Sequence, residues 1–71
     1  MENGQTITYT RFNPKTGQDV QHTAQVVSIK QYAANDREYT LSDGKRIFVE
    51  PTRAELWGKS GSYLALIHIV Q

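Results

Sequence analysis

Cysteine is absent from this chain, which excludes disulfides, thiolate nucleophiles and cysteine-ligated zinc. No stretch approaches the run of about 18 apolar residues that a membrane-spanning helix needs. Met1-Glu2-Asn3-Gly4-Gln5 has neither the cationic segment nor the apolar stretch of a signal peptide, so a cytoplasmic or otherwise intracellular setting is expected, with no membrane partner. An excess of one charge is also lacking: eight basic and seven acidic residues leave a formal charge of +1. So weak a field neither demands nor excludes a polyanion, and the placement of the cations decides.

Motifs for chemistry are missing as well. Two histidines, His22 and His68, without an HExxH pattern or an acidic calcium loop do not make a metal centre, so neither metal nor cofactor is expected. Ser28, Ser42, Ser60 and Ser62 have no base placed by spacing to activate them. Gly58-Lys59-Ser60-Gly61 contains Gly-Lys-Ser but lacks the upstream glycine of a phosphate loop, and it reads as a flexible turn. Asp36-Arg37-Glu38 reads as a solvated charged turn. No catalytic residue is assigned, and an enzyme would require a cleft assembled between subunits.

The chain that remains has 71 residues, 38% of them hydrophobic. That suffices for one domain, residues 1–71, with a single core that is continuous or shared with a second copy. Thr6 to Phe12 combines β-branched and aromatic residues and predicts a strand. Asn13-Pro14-Lys15-Thr16-Gly17 then predicts a hairpin turn. From Asp19 to about Gln31 the apolar phase switches between Val26 and Val27, the mark of a bulge or bend. Beyond Ser28 a short helix competes, since Ser28 and Gln31 have capping-box spacing and Ala33-Ala34 follow.

Ala33 to Asp36 turns the chain. Tyr39 to Val49 forms the clearest local hairpin, folded at Asp43-Gly44, with Ile47 and Val49 sharing one face. Pro51 ends that ladder. Thr52 and Glu55 have capping-box spacing, which predicts a short helical or 3₁₀ turn ending near Gly58. Ser62 to Val70 is a strand with two apolar rows: Tyr63, Ala65, Ile67 and Ile69 on one side, Leu64, Leu66, His68 and Val70 on the other. The second row needs cover from the short helix, from the first strand or from a second subunit.

The expected architecture is therefore mostly β: a small five-stranded curved barrel with one helical turn before the last strand. This layout resembles SH3-like and Sm-like barrels, with an OB-like open barrel as the nearest rival. The resemblance is one of layout only and assigns no binding residue.

Two surfaces stand out for binding. Tyr9, Arg11, Arg37, Tyr39, Lys45 and Arg46 interleave cations with aromatic rings, a composition that suits phosphates and stacked bases of DNA or RNA. Arg53, Leu56, Trp57, Lys59 and Tyr63 offer the alternative, a surface that binds or inhibits a larger protein through the single tryptophan or through an exposed row of the final strand. Homo-oligomerisation through the final strand is a further expectation.

Overall fold

The computed structural model describes residues 4–70. Residues 1–3 and 71, which complete the expected domain span and begin the segment read for a leader, lie outside the described residues. Six strands follow one another: β1 (Thr6–Asn13), β2 (Gln18–Ala33), β3 (Asp36–Leu41), β4 (Arg46–Glu50), β5 (Arg53–Trp57) and β6 (Tyr63–Val70). Each pairs antiparallel with the next, and β6 returns to β1, so the sheet closes into an up-and-down barrel. The closing seam runs from Thr8 opposite Val70 to Arg11 opposite Ile67.

The sixth strand corrects the expected layout. Pro51 and Thr52 form a tight turn, and Arg53–Trp57 is a strand rather than a helical turn. Its alternation explains why: Ala54 and Leu56 are buried, while Arg53, Glu55 and Trp57 face out. Glu55 does not cap a helix; it pairs with Arg53 and accepts a hydrogen bond from Trp57 Nε1, both on its own strand. The register with β4 and β6 also satisfies the backbone groups that a helical turn would have had to satisfy alone.

β2 serves two neighbours. Its first half pairs with β1 from Gln18 to Gln25, and its second half pairs with β3 from Val26 to Ala33. A register shift between Val26 and Ser28 marks the expected bulge, which leaves Val27 exposed. The extra residue resets the alternation, so Val26 and Ile29 both lie beside inward residues of β3, Leu41 and Tyr39. Strand geometry continues to Ala33, so the helix reading after Ser28 does not hold.

Turn chemistry follows the sequence closely. Lys15 N donates to Asn13 Oδ1 at 2.9 Å, Gly17 N donates to Asn13 O at 2.8 Å, and Gly17 takes φ of 72°. Gly44 takes φ of 90° between β3 and β4. Antiparallel alternation then sends the β1–β2, β3–β4 and β5–β6 turns to one end of the barrel. The β2–β3 and β4–β5 turns lie at the other end.

The interior is filled by Ile7, Tyr9, Val26, Tyr39, Leu41, Ile47, Ala54, Leu56 and Ile67. Burial of each larger aliphatic side chain here contributes about 1.5–3 kcal/mol. On β6 the two rows separate as expected from Ala65 onward, but a register shift opposite Leu56 and Trp57 displaces Tyr63. Tyr63 therefore leaves the row of Ala65 and Ile67 and lies beside outward Trp57. No described element covers the outer row, and Leu66 is 54% exposed.

Candidate functional site

The outer wall across β2 to β6 carries a grid set by the strand register. One row reads Lys30, Glu38, Phe48, Glu55 and Leu66. The next reads Ser28, Thr40, Arg46, Trp57 and Tyr63. Residues on one face of neighbouring strands reach directly opposite and diagonal partners, so large rings in adjacent rows meet.

They meet as a continuous strip. Tyr32 stacks on Phe48 with ring centroids 6.4 Å apart; Phe48 meets Trp57 edge to face at 5.7 Å; Trp57 meets Tyr63 edge to face at 5.6 Å. Edge-to-face packing places the positive ring edge on the negative face and suits an interlocked ridge. Tyr32 and Tyr63 at the two ends are about half exposed, at 54% and 49%, with Phe48 and Trp57 less so between them. Lys30 Nζ stands 5.0 Å from the centre of the Tyr32 ring, within cation–π range.

Beneath and beside the rings sit two carboxylates. Glu38 points outward yet is only 9% exposed. Such burial is tolerable because its charge is matched: Tyr32 OH donates to Glu38 Oε1, and Arg46 Nε lies 3.8 Å from Oε2. The hydrogen bond to Glu38 also raises the Tyr32 pKa above its ordinary value, since the protonated hydroxyl is the donor. Glu55 repeats the arrangement with Arg53 and the Trp57 indole. Arg53 further lies 3.8 Å from Glu50. Every cation of the strip thus has a carboxylate or ring partner, and the wall is close to neutral.

Beside Tyr32 and Phe48 lies a shallow depression of about 400 Å³, lined also by Asp36, Arg37, Val49 and Glu50. It has the size and mixed lining to seat one large side chain from a partner.

The residues singled out for nucleic acid do not gather. Tyr9 and Tyr39 are core residues, 2% exposed each, because their strand positions face the interior. Burial raises the Tyr9 pKa, an effect opposed by Lys45 and then reinforced by Asp43. Arg11 and Arg37 also lie on inward positions, but at opposite mouths of the barrel. There each arginine can keep its stem along the lining and its guanidinium in water; Arg37 Nη1 donates to Tyr39 OH at 3.4 Å. Lys45 occupies the β3–β4 turn with its ammonium 3.4 Å from Asp43. Arg46 alone reaches the outer strip.

The alternative set fares better. Arg53, Trp57 and Tyr63 converge on the strip, Lys59 lies on the β5–β6 turn, and Leu56 is buried in the core. Sequence reasoning missed Tyr32 and Phe48, whereas Leu66 lies in the final-strand row already expected to need cover. For Phe48 the signal was present, since an aromatic residue between inward Ile47 and Val49 must point outward. Comparison with known protein families, curated proteins and solved structures finds no match to this chain.

Proposed function

We infer that this chain is a non-enzymatic interaction module that docks onto another protein through the outer aromatic strip. The observation that carries this reading is the unbroken contact of Tyr32, Phe48, Trp57 and Tyr63 outside a barrel whose interior is already filled. Rings in those positions are not needed to complete the core. A rigid aromatic ridge edged by arginine has the composition of a binding hot spot.

Charge favours protein over nucleic acid on this wall. A phosphate chain approaching Arg46 or Arg53 would meet the carboxylates of Glu38, Glu50 and Glu55, which already hold those cations. A protein surface with an apolar anchor and a mixed-charge rim meets no such opposition. Because β4 and β5 are paired on both sides, the partner is engaged through side chains rather than by addition of a strand.

The test is capture from cell extract by the immobilised chain, compared with Trp57→Ala and Tyr63→Ala. Both variants retain the native circular dichroism spectrum, and each reduces recovery of the specific partner by about tenfold or more, the scale of a hot-spot residue. Undiminished capture by the folded variants would refute the strip as the docking surface. Tyr63→Ala guards against loss of Trp57 packing, since Tyr63 is the more exposed ring.

A further inference from the structure

The end of the barrel that holds three turns has a different character from the neutral wall. Each turn contributes one lysine: Lys15 from β1–β2, Lys45 from β3–β4 and Lys59 from β5–β6. Arg11 adds a fourth cation from the inner face of β1, and among the described residues Asp19 and Asp43 oppose them at this end. At the opposite end Arg37 is offset by Asp36, so the charge surplus of the described chain lies at the three-turn end.

The mouth is also shaped. The first half of β2 pairs only with β1, but β6 holds β1 from Thr8 to Arg11, so the tip of the β1–β2 hairpin past Arg11 is the part that stands clear of the seam as a short arm. Under that arm lies a depression of about 350 Å³ lined by Arg11, Phe12, Asn13, Lys15, Val20 and His22. His22, an exposed residue, stacks on Tyr9 with ring centroids 5.4 Å apart. Facing the arm, the β3–β4 turn is anchored to β2 through Ser42 N donating to Gln25 O at 2.8 Å. The Lys59 stem runs across Gly44, near enough that a Cβ there would stand 3.0 Å from it, so the second and third lysine-bearing turns are in contact.

We propose that this three-turn mouth binds a chain of consecutive phosphates. Neighbouring turns are two strands apart, roughly 10 Å round the rim at the usual interstrand spacing. One phosphate cannot reach all the cations, whereas several linked phosphates can, each meeting a donor on a different turn. Lys45 is partly committed to Asp43, so Arg11, Lys15 and Lys59 carry most of the attraction. A nucleic-acid backbone and a free polyphosphate present the same chemistry. The mouth adjoins the aromatic strip at the β5–β6 turn, between Trp57 and Tyr63, but uses cations in place of rings, so its failure would leave the protein-docking reading untouched.

The test is an NMR titration of the full chain with three probes: inorganic phosphate, tripolyphosphate and a short single-stranded oligothymidylate. Amide shifts centred on Lys15 to Gly17, Lys45 and Lys59 to Gly61 are expected with the chained phosphates, and much weaker ones with inorganic phosphate. With three phosphates neutralised, affinity for the oligothymidylate falls roughly 20-fold between about 50 and about 200 mM salt. The double variant Lys15→Glu, Lys59→Glu, both exposed turn positions, loses binding at least tenfold, while Trp57→Ala binds normally. Affinity that grows with oligonucleotide length identifies nucleic acid as the source, and tripolyphosphate binding that the oligonucleotide cannot displace identifies a free polyphosphate. No binding by either chained probe, equal binding by the double variant, shifts centred elsewhere, or equal affinity for single phosphate overturns the proposal.

Discussion

The four tyrosines share a side chain but not a role. Tyr9 and Tyr39 fill the interior, whereas Tyr32 and Tyr63 end the outer strip. Burial raises the Tyr9 pKa, and the bond to Glu38 raises that of Tyr32. The folded state therefore holds both protons more tightly than the unfolded chain, where tyrosine titrates near pH 10. Their contribution to stability is complete below pH about 10 and is lost as pH rises through the higher folded-state values. Tyr9→Phe should accordingly flatten the alkaline decline in stability, read as urea midpoints over a series from about pH 8 to about pH 11. An unchanged decline in Tyr9→Phe would refute the link. Tyr32→Phe should flatten it further, with the same sign.

At the scale of the element, strand position and turn chemistry account for most of the structure. Gly17 and Gly44 both adopt positive φ, 72° and 90°, so alanine at either is strained by about 1–2 kcal/mol. They differ in surroundings. A Cβ at Gly17 meets open space, while one at Gly44 meets the Lys59 stem at 3.0 Å. Gly44→Ala should therefore destabilise more than Gly17→Ala, and Lys59→Ala should remove the excess, as a double-mutant cycle in chemical denaturation reads directly. Equal penalties at the two glycines would show that the Lys59 stem yields to the added methyl without cost. The hairpins at Asn13–Gly17 and Asp43-Gly44 were legible because proline fixes φ, asparagine and aspartate side chains bond the nearby backbone, and glycine reaches positive φ. β5 was not, because Thr52 and Glu55 have the same spacing in a capping box and in a turn followed by a strand. Five residues are too few for periodicity to separate the two readings.

For the whole molecule the critical feature is the seam between β1 and β6. It joins the two ends of the described chain, and Ile67 and Ile69 pack into or against the one core. A domain this small has little stability to spare, and its sheet cannot close without the seam. Ending the chain after Leu66 should therefore abolish cooperative unfolding altogether rather than trim one strand. Collapsed amide dispersion and loss of a sigmoidal denaturation curve would report that outcome; a folded, cooperatively unfolding truncation would show that the seam is dispensable. The outer strip also belongs to this scale, since its rings come from four strands and meet only when β2 to β6 are curved into one wall.

The sequence alone determined a mostly β chain, the turns at Asn13–Gly17, Ala33–Asp36 and Asp43-Gly44, the Val26–Val27 phase change and a final strand with two apolar rows. These depend on neighbours within a few residues: alternation of period two, the fixed φ of proline and the freedom of glycine. Tertiary structure decided which aromatic residues are core and which are surface. A shift of one residue sends a strand's side chains to the opposite face, and the irregularities at Val27 and opposite Trp57 make that choice twice. The first brings Ile29 beside inward Tyr39 and the second turns Tyr63 out to Trp57, outcomes set by pairing partners that lie far away in sequence.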